Sequence, residues 1–536
     1  MSLKAEVSNL KLKEGDTDLK ESLISVQVQD EIEDSTSAAS AGGALLETST
    51  DSELIPESVQ TTESESEGKS ESEARPAKKL KEVERPRPID KSRPFEFHEL
   101  FFSVTDPKSA ITFSNNVFTR LSGYPAEVLS GQLHKLIRHP DMPRAVFKVF
   151  WDFLKAGKPV AAYVKNMSAD GSYYWVMALA MPCNGGYLSV RLKPGSELFQ
   201  KVRRLYSKTL ELEKKEEKST NARKAMEKAE NFLFDSLKEE GYESYESFMW
   251  TALQEEMYHR EEKITSSGHV DQIHQLNIPV RQKKLQILLG ELFEQLEKLE
   301  KLHDVLMDQA EHMLELARSI LLLSLNAQIS SAKLDQTDQS LNVAAENMGS
   351  QSIDGEKKLM EIQQLVTYLN QLLRKLSFNI IASKLQVEMI NLFMHDSSET
   401  SESDGIEHQR SSPFQLKDEE VVEMLLDAVS PHLNLVAESL SELPENLRKL
   451  KNGVNGIENF LDVLRFIHII GKVEIARMND QESSFSNTFQ ELVLEVNNAQ
   501  EKLDELTEFL LMNEQMSQQL AAHDYELRSI IQWMEQ

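Results

Sequence analysis

The chain reads as an α+β domain built on a five-stranded antiparallel sheet with helices, followed by a long all-α antiparallel helical bundle and preceded by a disordered arm. Three observations predict this. Between about Phe95 and Lys193, short apolar runs alternate with turn residues; after Gly195, apolar residues recur at three- and four-residue spacing; before Phe95 there is no aromatic residue at all.

Leu100 to Val104 and Ala110 to Phe113 read as strands joined at Asp106-Pro107-Lys108, where proline presets φ for a turn. Asn115 to Leu121 reads as a short helix stopped by Gly123. Pro143, at a first helical position, opens a second helix that ends by Gly157 and presents Val146, Phe147, Phe150 and Leu154 to the sheet. Val160 to Met167, Tyr173 to Met181 and Gly186 to Lys193 complete the sheet, the first two joined by the hairpin-favouring Asp170-Gly171 turn.

Within this domain, Leu136-Ile137-Arg138-His139-Pro140-Asp141-Met142-Pro143 gathers an arginine, a histidine and a carboxylate within four positions, a cluster suited to holding a ligand. Arg138 can pair bidentately with a pyrophosphate, His139 and Asp141 can hydrogen-bond ribose or ring edges, and Trp175 can supply a stacking face. A plainer reading makes Arg138 and Asp141 a surface ion pair capping the Pro143 helix. His134 and His139, five residues apart, also leave haem open as an alternative.

The ordered set Asn115, Phe118, Leu121-Ser122-Gly123-Tyr124, Gly131, Arg138 to Pro143, Val164-Lys165-Asn166, Asp170-Gly171 and Tyr174-Trp175-Val176 resembles the PAS sensor domain of bacterial aerotaxis receptors. The resemblance implies a bound FAD whose redox state stands for oxygen or respiratory energy. It implies that Arg138, His139 and Asp141 contact or support the cofactor, and that Asn115, Asn166 and Trp175 line its pocket. One position departs: where the aerotaxis pattern has a tryptophan after a Gly-x-Pro turn, this chain has Val160, which removes an aromatic wall.

Composition bounds the remainder. A chain of 536 residues holds several domains, and a formal net charge of −29 excludes a general nucleic-acid binder, which needs a basic surface. The single cysteine, Cys183, excludes a disulfide framework or a cysteine-rich metal site and fits a reducing compartment. The start lacks the features of a secretory signal and no apolar run approaches the roughly 20 residues a bilayer needs, so a cytoplasmic protein without a membrane span is expected. Residues 1–93, rich in Ser, Thr and Glu and ending in a basic, proline-bearing run from Arg75 to Pro94, bury too little to offset ordering entropy. That basic run reads as an extended, solvated linker, or as a docking site for an acidic partner.

Phe199 to Leu237, Pro279 to His395 and Glu420 to Glu535 carry the helical pattern, with Asp396 to Ser412 as a flexible connection. The domains are therefore 94–195 for the sensor, 196–275 for a helical connector, 276–396 and 415–536 for two helical hairpins, and 397–414 for the linker between them. Leu325 to Leu334 before the Asp335 to Ser340 turn, and Val473 to Met478 before the Asn479 to Ser484 turn, are similar to the hairpin tip of methyl-accepting chemotaxis proteins. That likeness implies a chemotaxis histidine kinase and its coupling adaptor as partners, with Glu474, Arg477, Gln481 and Phe485 at the contact. The first copy has Ser330 in place of the tip glutamate, and neither keeps the tip glycines.

Arms of nearly equal length on both sides of each turn let one chain supply a whole four-helix bundle, with a monomer as the default and a homodimer as the alternative. Pro431 and Pro444 are expected to kink or break the first arm of the second hairpin. No phosphate-cradling loop, His-Glu-x-x-His motif or nucleotide site accompanies these features, so the chain is not expected to be an enzyme. Two functions remain: a soluble PAS-based redox or oxygen sensor that signals through a chemoreceptor-like bundle, linked by the helix after Gly195, or a cofactor-free PAS-helical scaffold for protein partners.

Overall fold

The computed structural model describes residues 83–267, 278–296, 339–403, 418–478, 484–512 and 514–534, with a few single positions between them. Five strands form one antiparallel sheet: β1 (Phe101–Thr105), β2 (Ile111–Ser114), β3 (Val160–Met167), β4 (Tyr173–Cys183) and β5 (Gly186–Leu192), in spatial order β2-β1-β5-β4-β3. The hairpins β1–β2, β3–β4 and β4–β5 follow from tight turns, and β5 then pairs with β1, so the last strand lies in the middle of the sheet. At the first turn the Asp106 carboxylate accepts the Lys108 and Ala110 N–H groups, an Asx turn beside the expected proline.

One face of the sheet carries α1 (Asn116–Ser122), α2 (Ala126–Leu129), a 3₁₀ turn at His134–Ile137, and α3 (Arg144–Lys155). Asn115 caps α1 through the Phe118 N–H, and Gly123, at φ 71°, closes it in the left-handed region. Pro143 is the cap of α3, not its first helical residue; α3 buries Ala145, Val146, Val149 and Leu154, with Phe147 and Phe150 half-buried beside them. The α2 and 3₁₀ turns were not expected, being too short to show a period.

Where it is described, the run before the sheet is extended and mostly exposed, as expected, but its backbone is tied to the domain. The Ile89 N–H donates to Gly171 O, Lys91 and Arg93 exchange backbone hydrogen bonds with Tyr173, and Arg85 donates to the carbonyls of Leu136 and Arg138. The prolines that forbid a helix leave an extended strap whose backbone groups pair with the start of β4. The remainder of the expected arm, residues 1–82, lies outside the described residues.

After the sheet come α4 (Glu197–Glu217), α5 (Ala222–Glu239) and α6 (Tyr245–Ser266). The single stretch expected from Phe199 to Leu237 is two helices that fold back on each other, because Asn221 caps α5 through the Lys224 N–H and starts a new helix after Ser219-Thr220. Then follow α7 (280–296), α8 (Gln339–Ser403), α9 (Asp418–Met478), α10 (Ser484–Met512) and α11 (Glu514–Met534). Helix α8 continues past Asp396, where a flexible connection was expected, to Ser403. Helix α9 runs unbroken through Pro431 and Pro444. A proline inside a helix costs about 3 kcal/mol, whereas Leu433, Val436, Leu440, Leu443 and Leu447, all buried on this helix, each contribute about 1.5–3 kcal/mol.

Four antiparallel segments of this one chain surround a common core. Asn391 of α8 meets Gln286 of α7, Gln386 of α8 meets His432 of α9, Arg528 of α11 reaches Ala437 O of α9, and Arg281 of α7 lies over the Trp533 ring of α11. The expected intrachain bundle is thus present at its base. Both expected tips, at 335–338 and 479–483, lie outside the described residues. Among the described residues no helix is long and apolar enough to cross a membrane.

Two glycines of the bundle separate propensity from fit. A Cβ on Gly355 would stand 2.3 Å from the buried Phe460 ring, while one on Gly456 would meet nothing within 4 Å. Gly355→Ala is expected to destabilise the chain by about 1–3 kcal/mol and Gly456→Ala to stabilise it by about 0.5–1 kcal/mol, measured by urea unfolding.

Candidate functional site

Side chains directly opposite one another across a sheet point to the same face. The registers therefore define one row as Ser114, Ser103, Ser189, Ala180 and Val160, and the next as Phe101, Arg191, Ala178 and Ala162; Tyr174 and Asn166 pair further along the same face. This inner face meets α1 and the 3₁₀ turn, because the Arg191 guanidinium lies 5.3 Å from the Phe118 ring centre and its Nη2 is 2.8 Å from His134 Nε2. Small side chains fill its middle. The position where the aerotaxis pattern has tryptophan, Val160, is the end of the serine row.

The chemistry of this face is unusual for a core. Arg191 is 3% exposed, donates to Ser189 O and to His134, and has no carboxylate within ion-pair range among the described residues. Burial lowers its pKa to about 10. His134 is held neutral, with burial first and the Arg191 charge second driving its pKa down to about 3. Ser103, Ser114 and Ser189 Oγ, Tyr174 Oη and Asn166 Nδ2, all on this face, are buried without a hydrogen-bond partner in the protein, as is Tyr124 Oη from the segment after α1. Each such atom costs about 1–3 kcal/mol, so their concentration on one face calls for a polar guest. An uncompensated guanidinium calls for one with negative charge or electron-rich oxygens.

The residues expected at the site divide between this face and other duties. Asn166 lies on it. Arg138 stands at its margin, bridged to Asn166 through the backbone, with its guanidinium 4.0 Å from the Phe147 ring centre. Burial is the chief cause that brings the Arg138 pKa down to about 10. His139 and Asp141 sit at the outer edge of β3: the His139 N–H donates to Lys165 O, His139 Nδ1 accepts the Asp141 N–H, and Lys165 Nζ reaches Asp141 at 2.8 Å. Asp141 thus pairs with Lys165, not with Arg138 as the plainer reading had it.

Asn115 spends its amide on the backbone, its Oδ1 accepting from Phe102 and Phe118 N–H and its Nδ2 donating to Leu100 O. Trp175, one residue from Tyr174, necessarily points to the opposite face, where its ring lies 5.5 Å from Phe199 of α4. It is therefore not brought to the inner face, and the stacking role does not go to this side chain. Glu474, Arg477 and Phe485 fall in α9 and α10, and Gln481 lies outside the described residues. Arg191, Tyr174 and the serines were missed because nothing local marks them; strand parity about Asn166 was the available signal. Among the described residues no group of His, Cys, Asp and Glu side chains could hold a metal ion.

Residues 111–187 match the sequence model of the PAS fold, and the segment is a PAS domain. Its region is 42% identical over 109 residues to the aerotaxis receptor of Escherichia coli (strain K12), covering 19% of this chain and 22% of that receptor. It is also 31% identical over 74 residues to a nitrogen fixation regulatory protein of Klebsiella pneumoniae, covering 14% of this chain and 15% of that protein. The chain thus spans less than a quarter of the length of either relative. Among solved structures, the light-state structure of the blue-light photoreceptor aureochrome-1 LOV is 25% identical, covering 19% of this chain and 86% of that one at a TM-score of 0.17.

Three histidines with lowered pKa values set a pH dependence. His134 has a folded pKa of about 3 against roughly 6.5 unfolded, so its contribution is complete above pH 6.5 and is lost as pH falls toward 3. His139 and His432, both brought to about 4 chiefly by burial, add slopes of the same sign. His134→Gln, which can still accept from Arg191, is expected to flatten the loss of stability below pH 6.5 by up to about 1.4 kcal/mol per pH unit, read from urea unfolding at stepped pH.

Proposed function

We propose that this chain is a PAS-based sensor of redox state or oxygen that holds a noncovalent flavin, FAD by the aerotaxis resemblance, and passes its state to a chemoreceptor-like helical bundle. The observation that carries this reading is the buried Arg191, without a carboxylate, on a face of alanines and serines whose polar atoms lack partners. Those residues fit the group. Arg191, Asn166, Tyr174 and the three serines would hold it, and Arg138 would close the margin. A bound flavin supplies reversible electron acceptance. The chain supplies a fixed positive charge in a site shielded from water, where its effect on a neighbouring charge exceeds that in solution. Both His134, whose Nε2 is taken by Arg191, and His139, whose Nδ1 accepts a backbone N–H, are already oriented by protein, which favours flavin over haem.

The chain acts in the cytoplasm without catalysis of its own, as a component of chemotaxis-type signalling whose bundle addresses a histidine kinase and its coupling adaptor. The 42% identity to an aerotaxis receptor supports the signalling class.

The purified full chain is expected to carry a flavin absorption spectrum. Arg191→Met should abolish it while leaving the empty chain at least as stable, since an unpaired buried charge is exchanged for an apolar side chain of similar length. Trp175→Phe should leave flavin content unchanged. A colourless chain that takes up no added FAD overturns the cofactor and leaves the scaffold reading; a haem spectrum replaces flavin by haem. Incubation with labelled ATP should yield neither hydrolysis nor autophosphorylation, and either activity refutes the non-enzymatic role.

A further inference from the structure

The outer face of the sheet is covered by helices, and one of them, α6, is tied by buried charge to two different bodies. Glu256 of α6 is fully buried and has no cationic partner among the described residues. Its carboxylate instead accepts the Tyr163 hydroxyl of β3 at 2.9 Å, the Ser196 hydroxyl at 2.5 Å, and the Gly195 and Ser196 N–H groups at 2.6 and 3.2 Å. Gly195 is required there, because a Cβ would lie 2.6 Å from the His259 ring. One turn further along α6, Arg260 is also fully buried; it donates to Phe97 O at 3.0 Å and to Glu388 of α8 at 2.8 Å. Lys384 of α8 joins Glu388 and reaches back to Glu261 of α6 at 2.9 Å.

We infer that α6, and not the contiguous helix α4, is the mechanical coupler between the sensor sheet and the bundle. Glu256 grips the sheet and the exit of the domain, Arg260 grips α8, and the helical turn between them is rigid. A shift of β3 relative to the bundle must stretch hydrogen bonds to buried charges at one end or the other, and such bonds yield less readily than apolar contacts, which slide. Helix α4 has no comparable hold on the bundle among the described residues: its Ser196 cap serves Glu256, and its ion pairs through Glu213 and Glu217 return to Arg144 of α3. A second contact between sheet and bundle exists at Phe393 of α8, whose ring meets Phe102 and Phe113 edge-on at 5.4 and 5.5 Å, and it supplies a competing route, beside the packing of α9 on β4.

This assignment deepens the sensor reading, and its test needs no cofactor. Tyr163 points away from the inner face, so Tyr163→Phe removes one hydrogen bond to Glu256 without touching the ligand residues. Backbone hydrogen exchange of the full-length chain is then compared at residues 384–388 of α8. Tyr163→Phe is expected to speed exchange there by about three- to tenfold. The increment should vanish in an Arg260→Met background, or in Glu388→Gln if Arg260→Met does not fold, and should persist in Phe393→Leu. No change at 384–388, or an increment that survives loss of the Arg260–Glu388 pair, overturns the coupler; loss only in Phe393→Leu transfers the role to the aromatic contact. A flavin-free chain would refute the cofactor and leave each of these outcomes readable.

Discussion

A five-stranded sheet buried on both faces, with different chemistry on each, is the constraint on which the rest of this structure depends. Strand alternation enforces the separation: Tyr174 and Asn166 must face inward if Trp175 and Lys165 face outward. Beside Phe101 and Tyr174, the inner face carries small and polar side chains and a buried positive charge, whereas the outer one is large and aromatic. A one-residue slip of register would exchange the two and deliver Arg191 to the helical bundle.

The outer face explains why the PAS domain is not an isolated module here. Tyr163 stacks on Phe199, Trp175 meets Phe199 and Tyr206, and Phe102 and Phe113 receive Phe393 from a helix that begins far away in sequence. Exposed to water, these aromatic groups would form a large apolar patch. Their burial fixes the sheet against α4, α6 and α8, so the domain and the bundle share a core. On the other side, Arg144 and Lys148 of α3 pair with Glu213 and Glu230, which anchors the cover of the inner face to the connector helices.

The bundle shows the same economy. Its four base segments come from one chain, and polar side chains punctuate the core: Asn391 with Gln286, Gln386 with His432, and the Arg260–Glu388–Lys384 group. Glu388 illustrates what the grouping achieves, since burial alone would raise its pKa, yet Lys384 and Arg260 outweigh burial and hold it below the usual carboxylate range. Buried polar contacts of this kind reward one alignment of the helices over shifted ones.

Local patterning determined much of this protein. The turn at Asp106, the Asn115 cap, the Gly123 stop and the Asp170-Gly171 hairpin are written in short-range chemistry, and each strand was legible to within two residues because alternation and turn residues bound it. The helical character after Gly195 was legible for the same reason. Tertiary structure decided the site. Asn115, a pocket residue by resemblance, is consumed by backbone; Trp175 is turned outward by parity; Arg191 and His134, 57 residues apart, meet only because β5 is inserted beside β1 and the 3₁₀ turn is laid over it. Helix α9 survived its two prolines because burial outweighed a local penalty, and α6 acquired its hold on β3 and α8 through contacts 93 and 128 residues distant in sequence. Periodicity and turn chemistry act over a few residues and are visible in the chain itself, whereas a buried charge takes its meaning from the partners that folding brings to it.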